Sequence, residues 1–466
     1  RSRGLGDVYK RQLTYTVSFD GNKPAKAEKV SGVPANITVT FDTTVSEKLG
    51  VPSANGFTFA GWFTSATAGD AVTTADGTVN STVAGLITAG KWTKVGGATL
   101  YAHWTANGYS IAFDANVPKT TTNKVSGTMD AIPATYGEEV VLTENTFKLV
   151  GYTFMGWATS KTGEVEYNDG VTVSNLTTEN GGTVTLYAVW TANTYTITLN
   201  ANGGTPLTQT ATATYDVALN LTGTVASRVG YDFVGWFTSA TAGLAITDNT
   251  GKVNATVEGY LVDGKWAHDG NVTFYAHWEA HTYSVSFDGN TPAGVDASKV
   301  TNIPSTISGI KYDAQISANA LGIPSAPGYK FEGWYTEGGK LVVNTDKNLT
   351  SVDKATVVLI ARWSEKSDTA YKIETYVKNL TDASTLDTTY ELLETENKTG
   401  TTNATVNATA ISKNFTNGEL NLAGYILETD ASTLEATINP NGTTVLKVYL
   451  TRAKYTVTLK KGTGIS

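Results

Sequence analysis

From Thr14 to Phe19 the side chains alternate, with Tyr15, Val17 and Phe19 on one side and Thr14, Thr16 and Ser18 on the other. A period of two predicts a strand with one buried and one wet face. The pattern recurs at Tyr109/Ile111/Phe113, Tyr195/Ile197/Leu199 and Tyr283/Val285/Phe287, in a diverged form from Tyr371 (YKIET), and again from Tyr455 (YTVTL). These openings are spaced 94, 86, 88, 88 and 84 residues apart, so an internal repeat organises the chain. Each opening strand of the first four units runs into Asp-Gly-Asn, Asn-Gly-Gly or a similar cluster, residues that tolerate positive φ and close turns.

A second signature recurs as GFTFAGW (Gly56 to Trp62), GYTFMGW (Gly151 to Trp157), GYDFVGW (Gly230 to Trp236) and GYKFEGW (Gly328 to Trp334). Strict alternation would put Trp157 on the face opposite Tyr152 and Phe154. A glycine-assisted bulge at Gly156 would swing it to the core. A third signature closes each unit as LYAHW, LYAVW, FYAHW and LIARW, ending at Trp104, Trp190, Trp278 and Trp363. From signature to closing tryptophan the distance is 42, 33, 42 and 29 residues, and both long versions hold a GKW segment, at Trp92 and Trp266. Units one and three therefore read as duplicates with a hairpin-like insertion. The stretches TTVSEKLGVPSANG and GEEVVLTENTFKLVG have room for one short helix, which makes the expected class α+β, dominated by strands.

The units are placed at 13–106, 107–192, 193–280 and 281–366, with a related fifth at 367–453 in which no Gly-Trp follows Gly424-Tyr425. Residues 454–466 restart the pattern and read as the truncated start of a further unit. Residues 1–12 (RSRGLGDVYKRQ) share nothing with the rest; Asp7 to Gln12 can be read from a transposon-end sequence used in library preparation, so they are expected to be a translation artefact. Repeats of 85 to 95 residues can each hold a small core, unlike the short units of solenoids.

The three signatures resemble the Listeria–Bacteroides repeat, also called the internalin-type B repeat, over residues 13 to 366. The resemblance implies β-grasp-like, ubiquitin-related modules strung as beads in tandem on bacterial surface proteins, where they link or extend other domains and take part in adhesion. The fifth unit resembles a mucin-binding-protein module through YKIETYVKNL, GTTNATV and VLKVYLTR.

Composition narrows the function. A chain of 466 residues exceeds one core, and ten Trp and 23 Tyr supply several. The net charge of −8 is dispersed, with no Lys/Arg run to neutralise phosphates, so no nucleic-acid partner is expected. No apolar run reaches the roughly 18 residues of a membrane span, and no membrane insertion is expected of this stretch. The chain has no cysteine, which excludes disulfide and thiol chemistry, and the four His leave little for a metal site.

His103 and His277 match in YAHW, but Val189 and Arg362 replace them elsewhere, which favours an exposed strand position over a metal site. Asp20-Gly21-Asn22 and Asp288-Gly289-Asn290 look like pieces of a calcium loop, yet the spaced oxygen ligands ending in Glu are missing and a turn is favoured. The signature and closing tryptophans could stack on sugars, though core packing is favoured. Trp92 and Trp266 lie outside the shared core pattern and are the residues expected to be exposed for ligand contact. No Lys, Asn and acid triplet identifies an isopeptide cross-link. No recurring carboxylate pair or Ser, His and acid set suggests catalysis, and no cofactor is expected. The chain is therefore expected to be a non-catalytic, monomeric, elongated stalk or spacer of an extracellular bacterial surface protein. The alternative is an adhesive module contacting host or environmental glycans or surface proteins; an accessory region of a secreted enzyme is a third possibility.

Overall fold

The computed structural model describes residues 12–317, 319–380, 386–408 and 424–460. Among the described residues five main sheets follow one another along the chain, each drawing its strands from one repeat; four have four strands, and the fourth in order gains a fifth, Leu341–Val342, beside its signature strand. In the first, the opening strand Thr14–Asp20 pairs antiparallel with Ile37–Thr40 and parallel with the closing strand Ala98–Ala106, which pairs antiparallel with the signature strand Phe57–Phe63. The spatial order is therefore second, opening, closing, signature. The same order holds for Ile132–Thr135, Gly108–Asp114, Thr183–Ala192 and Tyr152–Ala158, for Thr208–Thr214, Thr194–Asn200, Val272–Ala280 and Tyr231–Phe237, and for Ile307–Lys311, Thr282–Asp288, Thr356–Glu365 and Tyr329–Thr336. The fifth unit repeats it with Leu386–Gly400, Thr369–Leu380, Thr444–Arg452 and Tyr425–Leu427, despite lacking the Gly-Trp signature.

The α+β expectation is overturned. Among the described residues there is no α-helix, and the single helical element is the 3-10 turn Ala297–Lys299. The two stretches given room for a helix are extended instead. Ser53 bridges Ser31, Lys48 bridges Thr78, Val140–Val141 pairs with Thr172–Val173, and Lys148 bridges Ser126. Gly50, Pro52 and the β-branched Val140 and Val141 explain why: they disfavour a helix and suit paired, extended chain. A β-grasp closes its sheet around a helix. Here the half-barrel sheet is filled by side chains of the loops and the short hairpin between its strands, in the first unit Leu49, Val72, Val83, Leu86, Ile87 and Trp92, so the β-grasp expectation falls with the helix.

The expected bulge is present in all four signatures. Register shifts between Phe59 and Gly61, Phe154 and Gly156, Phe233 and Gly235, and Phe331 and Gly333. These second glycines have φ of 136° to 150°, and a Cβ on Gly61 or Gly235 would stand 2.4 Å from the carbonyl oxygen of Thr73 or Thr247. The bulge turns Trp62, Trp157, Trp236 and Trp334 into the cores, where none exceeds 2% exposure. At roughly 25 cal/mol per Å², burying 150 to 250 Å² of ring makes each tryptophan a dominant contributor to its module. Each stacks edge-on against neighbours such as Phe59, Phe233 or Phe331.

Candidate functional site: the repeated junction between modules

Each residue singled out in the sequence has a definite structural place. Trp92 and Trp266 are buried, at 2% and 0% exposure, which overturns their expected role as exposed contacts. The GKW insertions are hairpins, Ile87–Thr88 with Lys91–Trp92 and Leu261–Val262 with Lys265–Trp266, folded back so that the tryptophan closes the core. The folding back is fixed by the backbone: Asp42 N donates to Trp92 O and Trp92 N to Thr43 O, as Asp216 N and Trp266 N do with Trp266 O and Val217 O.

The paired histidines are partly buried. His103 stacks on Phe63 at 3.9 Å with Nε2 2.9 Å from Ser65 O, and His277 repeats this with Phe237 at 3.8 Å and Ser239 O at 2.9 Å. In the fourth unit the guanidinium of Arg362 lies 4.1 Å from the ring of Tyr335; in the second the matching residues are the small pair Val189 and Ala158. The position lies opposite the signature glycine and follows the residue diagonal to it across the strands, a packing relation.

The turn after the opening strand is an anchor. Asn22, Asn116, Asn202 and Asn290 take φ of 38° to 48°, and each donates Nδ2 to the carbonyl of Ala102, Ala188, Ala276 or Ala361 on the closing strand. The closing tryptophans Trp104, Trp190, Trp278 and Trp363 return a bond from Nε1 to Gly21, Ala115, Ala201 and Gly289, at 2.8 to 3.0 Å. Among the described residues no cluster of three or more His, Cys, Asp or Glu is placed to hold a metal ion.

The feature that recurs with the most polar and aromatic complementarity lies between units. One linker residue joins each pair: Asn107, Asn193, His281 and Lys366. Its N–H donates to the carbonyl of the first signature glycine before it, Gly56, Gly151, Gly230 and Gly328, each at 2.9 Å. Its own carbonyl accepts the N–H of Tyr136, Tyr215, Tyr312 or Thr402 in the next unit, at 2.8 to 3.0 Å. In the first three junctions that tyrosine ring lies flat against the glycine, so that a Cβ there would approach the ring within 2.2 to 2.4 Å; at the fourth, Pro440 takes the place. The first glycine of the signature is thus a seat for the following module, a requirement invisible from the turn alone.

A second contact varies in step. Tyr152 donates its hydroxyl to Asp216 Oδ2 at 2.9 Å, and Tyr231 to Asp313 Oδ2 at 2.7 Å. Asn403 Nδ2 donates to Tyr329 OH at 2.6 Å. At the first junction Phe57, which has no hydroxyl, faces Tyr136, and Gly137 stands in place of the acid. All four of Gly137, Asp216, Asp313 and Asn403 share positive φ, from 56° to 85°. The Tyr231 bond holds the Asp313 carboxyl below its usual range, and Asn348 adds to the effect. Modules expected to hang as separate beads are instead joined by paired linkers.

The strand order, bulged tryptophan and anchored turn define a tandem array of small all-β modules. The chain belongs to the Listeria-Bacteroides repeat domain family, whose model matches residues 15–84, 109–189, 195–258 and 283–362. It is similar to two proteins of Evansella cellulosilytica: "Putative Gly-rich membrane protein" (28% identical over 287 residues, 61% of this chain and 28% of the relative), and "Putative membrane protein" (24% over 326 residues, 69% and 39%). It is also similar to Internalin H of Listeria monocytogenes (30% over 208 residues, 40% and 34%). The chain thus spans well under half the length of these relatives. No helix among the described residues is long and apolar enough to cross a membrane.

Proposed function

We propose that this chain is a non-catalytic spacer of a bacterial surface protein, in which consecutive modules are held at set orientations to carry other parts of the protein outward. The observation that carries this reading is the junction: four linkers in succession are bonded on both sides, and an aromatic or proline of each next module is seated on the preceding glycine. A free string would leave those backbone groups to water. The surface setting draws on the Internalin H likeness and on the two membrane-protein names. Adhesion keeps no specific support from Trp92 or Trp266, since both rings are enclosed.

Small-angle scattering of the whole chain tests the reading. A single compact body of 466 residues would have a radius of gyration of about 23 Å. A spacer should exceed this at least twofold, with a long-tailed distance distribution. A compact value would sink the proposal, and saturable binding in a glycan and matrix-protein screen would favour adhesion instead.

A further inference from the structure

The linker residue does more than bond through its backbone. At the first junction the Asn107 side chain bridges both modules, accepting from Thr58 Oγ1 at 2.6 Å and donating Nδ2 to Thr178 O at 2.7 Å. At the second, Asn193 Oδ1 accepts from Thr153 Oγ1 at 2.6 Å. At the third junction both sides of this pair change together. Asp232 stands where the first two junctions have Thr58 and Thr153, and His281 where they have Asn107 and Asn193; the fourth has Lys330 and Lys366. The imidazole bridges the third and fourth modules, with Nε2 3.1 Å from Asp232 Oδ1 and Nδ1 2.7 Å from Ser351 O.

A carbonyl and a carboxylate can only accept. Both bonds can exist together only if both ring nitrogens carry protons, that is, in the imidazolium. We propose that His281 is a proton-dependent clasp between the third and fourth modules, closed as the cation and half-released as the neutral ring. The clasp rests on junction geometry and stands whether or not the chain acts as a spacer. The His281 side chain is 19% exposed and that of Asp232 72%, so water reaches the Asp232 arm and the bond to Ser351 O is the better shielded of the two.

The surrounding charges favour the cation. The bond to Ser351 O, then the bond to Asp232, raise the His281 pKa above its ordinary value, and Asp353 adds a smaller attraction. Asp353 is itself bonded to Thr282 N and paired with Lys354 at 3.5 Å, while Glu279 lies opposite Asp232 across the strands and Lys311 opposite Thr282. On the other side of the junction Asp313 pairs with Arg228 at 3.9 Å and has a depressed pKa, so it stays charged wherever His281 titrates. Because the folded pKa is raised, the clasp is fully present below the unfolded value of about 6.5 and is lost as pH rises through the folded midpoint.

The test uses the full chain. Nitrogen-detected imidazole NMR, with His281 assigned by H281N, should show it titrating above the ordinary imidazole value, with both ring nitrogens protonated below the midpoint. D232N should lower that midpoint. Amide hydrogen-exchange protection of His281 and Tyr312, divided by that of Asn193 and Tyr215 at the second junction, should fall about tenfold as pH rises through the midpoint. The double variant D232T/H281N rebuilds the neutral Thr–Asn pair and should abolish that pH dependence while keeping the junction protected. Titration of His281 at or below the ordinary imidazole value of about 6.5, a flat protection ratio in the native chain, or a fall that persists in D232T/H281N would each overturn the proposal.

Discussion

Trp62 and Trp92 sit in one core, yet they are held differently. Trp62 donates Nε1 to Gly50 O at 2.9 Å, whereas Trp92 Nε1 has no hydrogen-bond partner among the described residues. Replacing either ring by Phe removes similar volume, but W62F also leaves a carbonyl without its donor. We expect W62F to cost about 1 kcal/mol more than W92F in denaturant unfolding of the first module, the worth of one such bond. Equal losses would show that the bond contributes nothing. Gly61 gives a sharper case, since a methyl there meets Thr73 O at a φ of 137°; G61A should destabilise the module by about 2 to 3 kcal/mol, read as a lowered melting midpoint. The Gly-Trp bulge was legible because alternation alone sends Trp157 the wrong way. The burial of Trp92 and Trp266 was not: a Lys-Trp dipeptide in an insertion has the pattern of a solvent-facing hairpin, and only the backbone bonds to Thr43 and Val217 turn its ring inward.

At the scale of elements, strands were readable and the space over them was misread. A half-barrel sheet needs a cover, and a short helix was the economical guess; the cover is irregular chain pinned by single bridges, some local, as Val83 to Ile87, and some distant, as Lys48 to Thr78, with no common spacing to leave a local period. The diagonal cross-strand neighbours of the closing motif were legible in principle, because Phe63 with His103, Phe237 with His277, Tyr335 with Arg362 and Ala158 with Val189 differ together between units. Reading one column alone suggested an exposed, free position. If the pairs are units of packing, F63A and H103V should be non-additive, with the double variant, which copies the second module, more stable than the sum of the singles by about 0.5 to 1.5 kcal/mol. A double-variant cycle by thermal unfolding checks this, and strict additivity would argue that the two side chains merely lie side by side.

For the molecule as a whole, the junctions decide whether repetition yields a string or a strut. The sequence spells out each module's strands because they obey a local period, but junction partners lie about 65 to 80 residues apart, Gly151 from Tyr215 and Gly56 from Tyr136, and belong to different repeats. What could have revealed them is their joint variation: Phe57 with Gly137, Tyr152 with Asp216, Tyr231 with Asp313, Tyr329 with Asn403. A strut depends on its weakest joint. Removing the seated rings of Tyr136 and Tyr312, both only half-buried, should spare the module cores while freeing two of the four linkers. In the variant Y136A/Y312A we expect far-ultraviolet dichroism and tryptophan emission to stay native-like, while the scattering curve reports a radius of gyration smaller by about a tenth and a broadened distance distribution, as for a rod given two flexible hinges. An unchanged curve would mean that the paired linker backbone suffices to fix orientation without the ring. A collapse of tryptophan emission would mean instead that the tyrosines hold up the modules themselves, and the distinction between module core and junction would have to be abandoned.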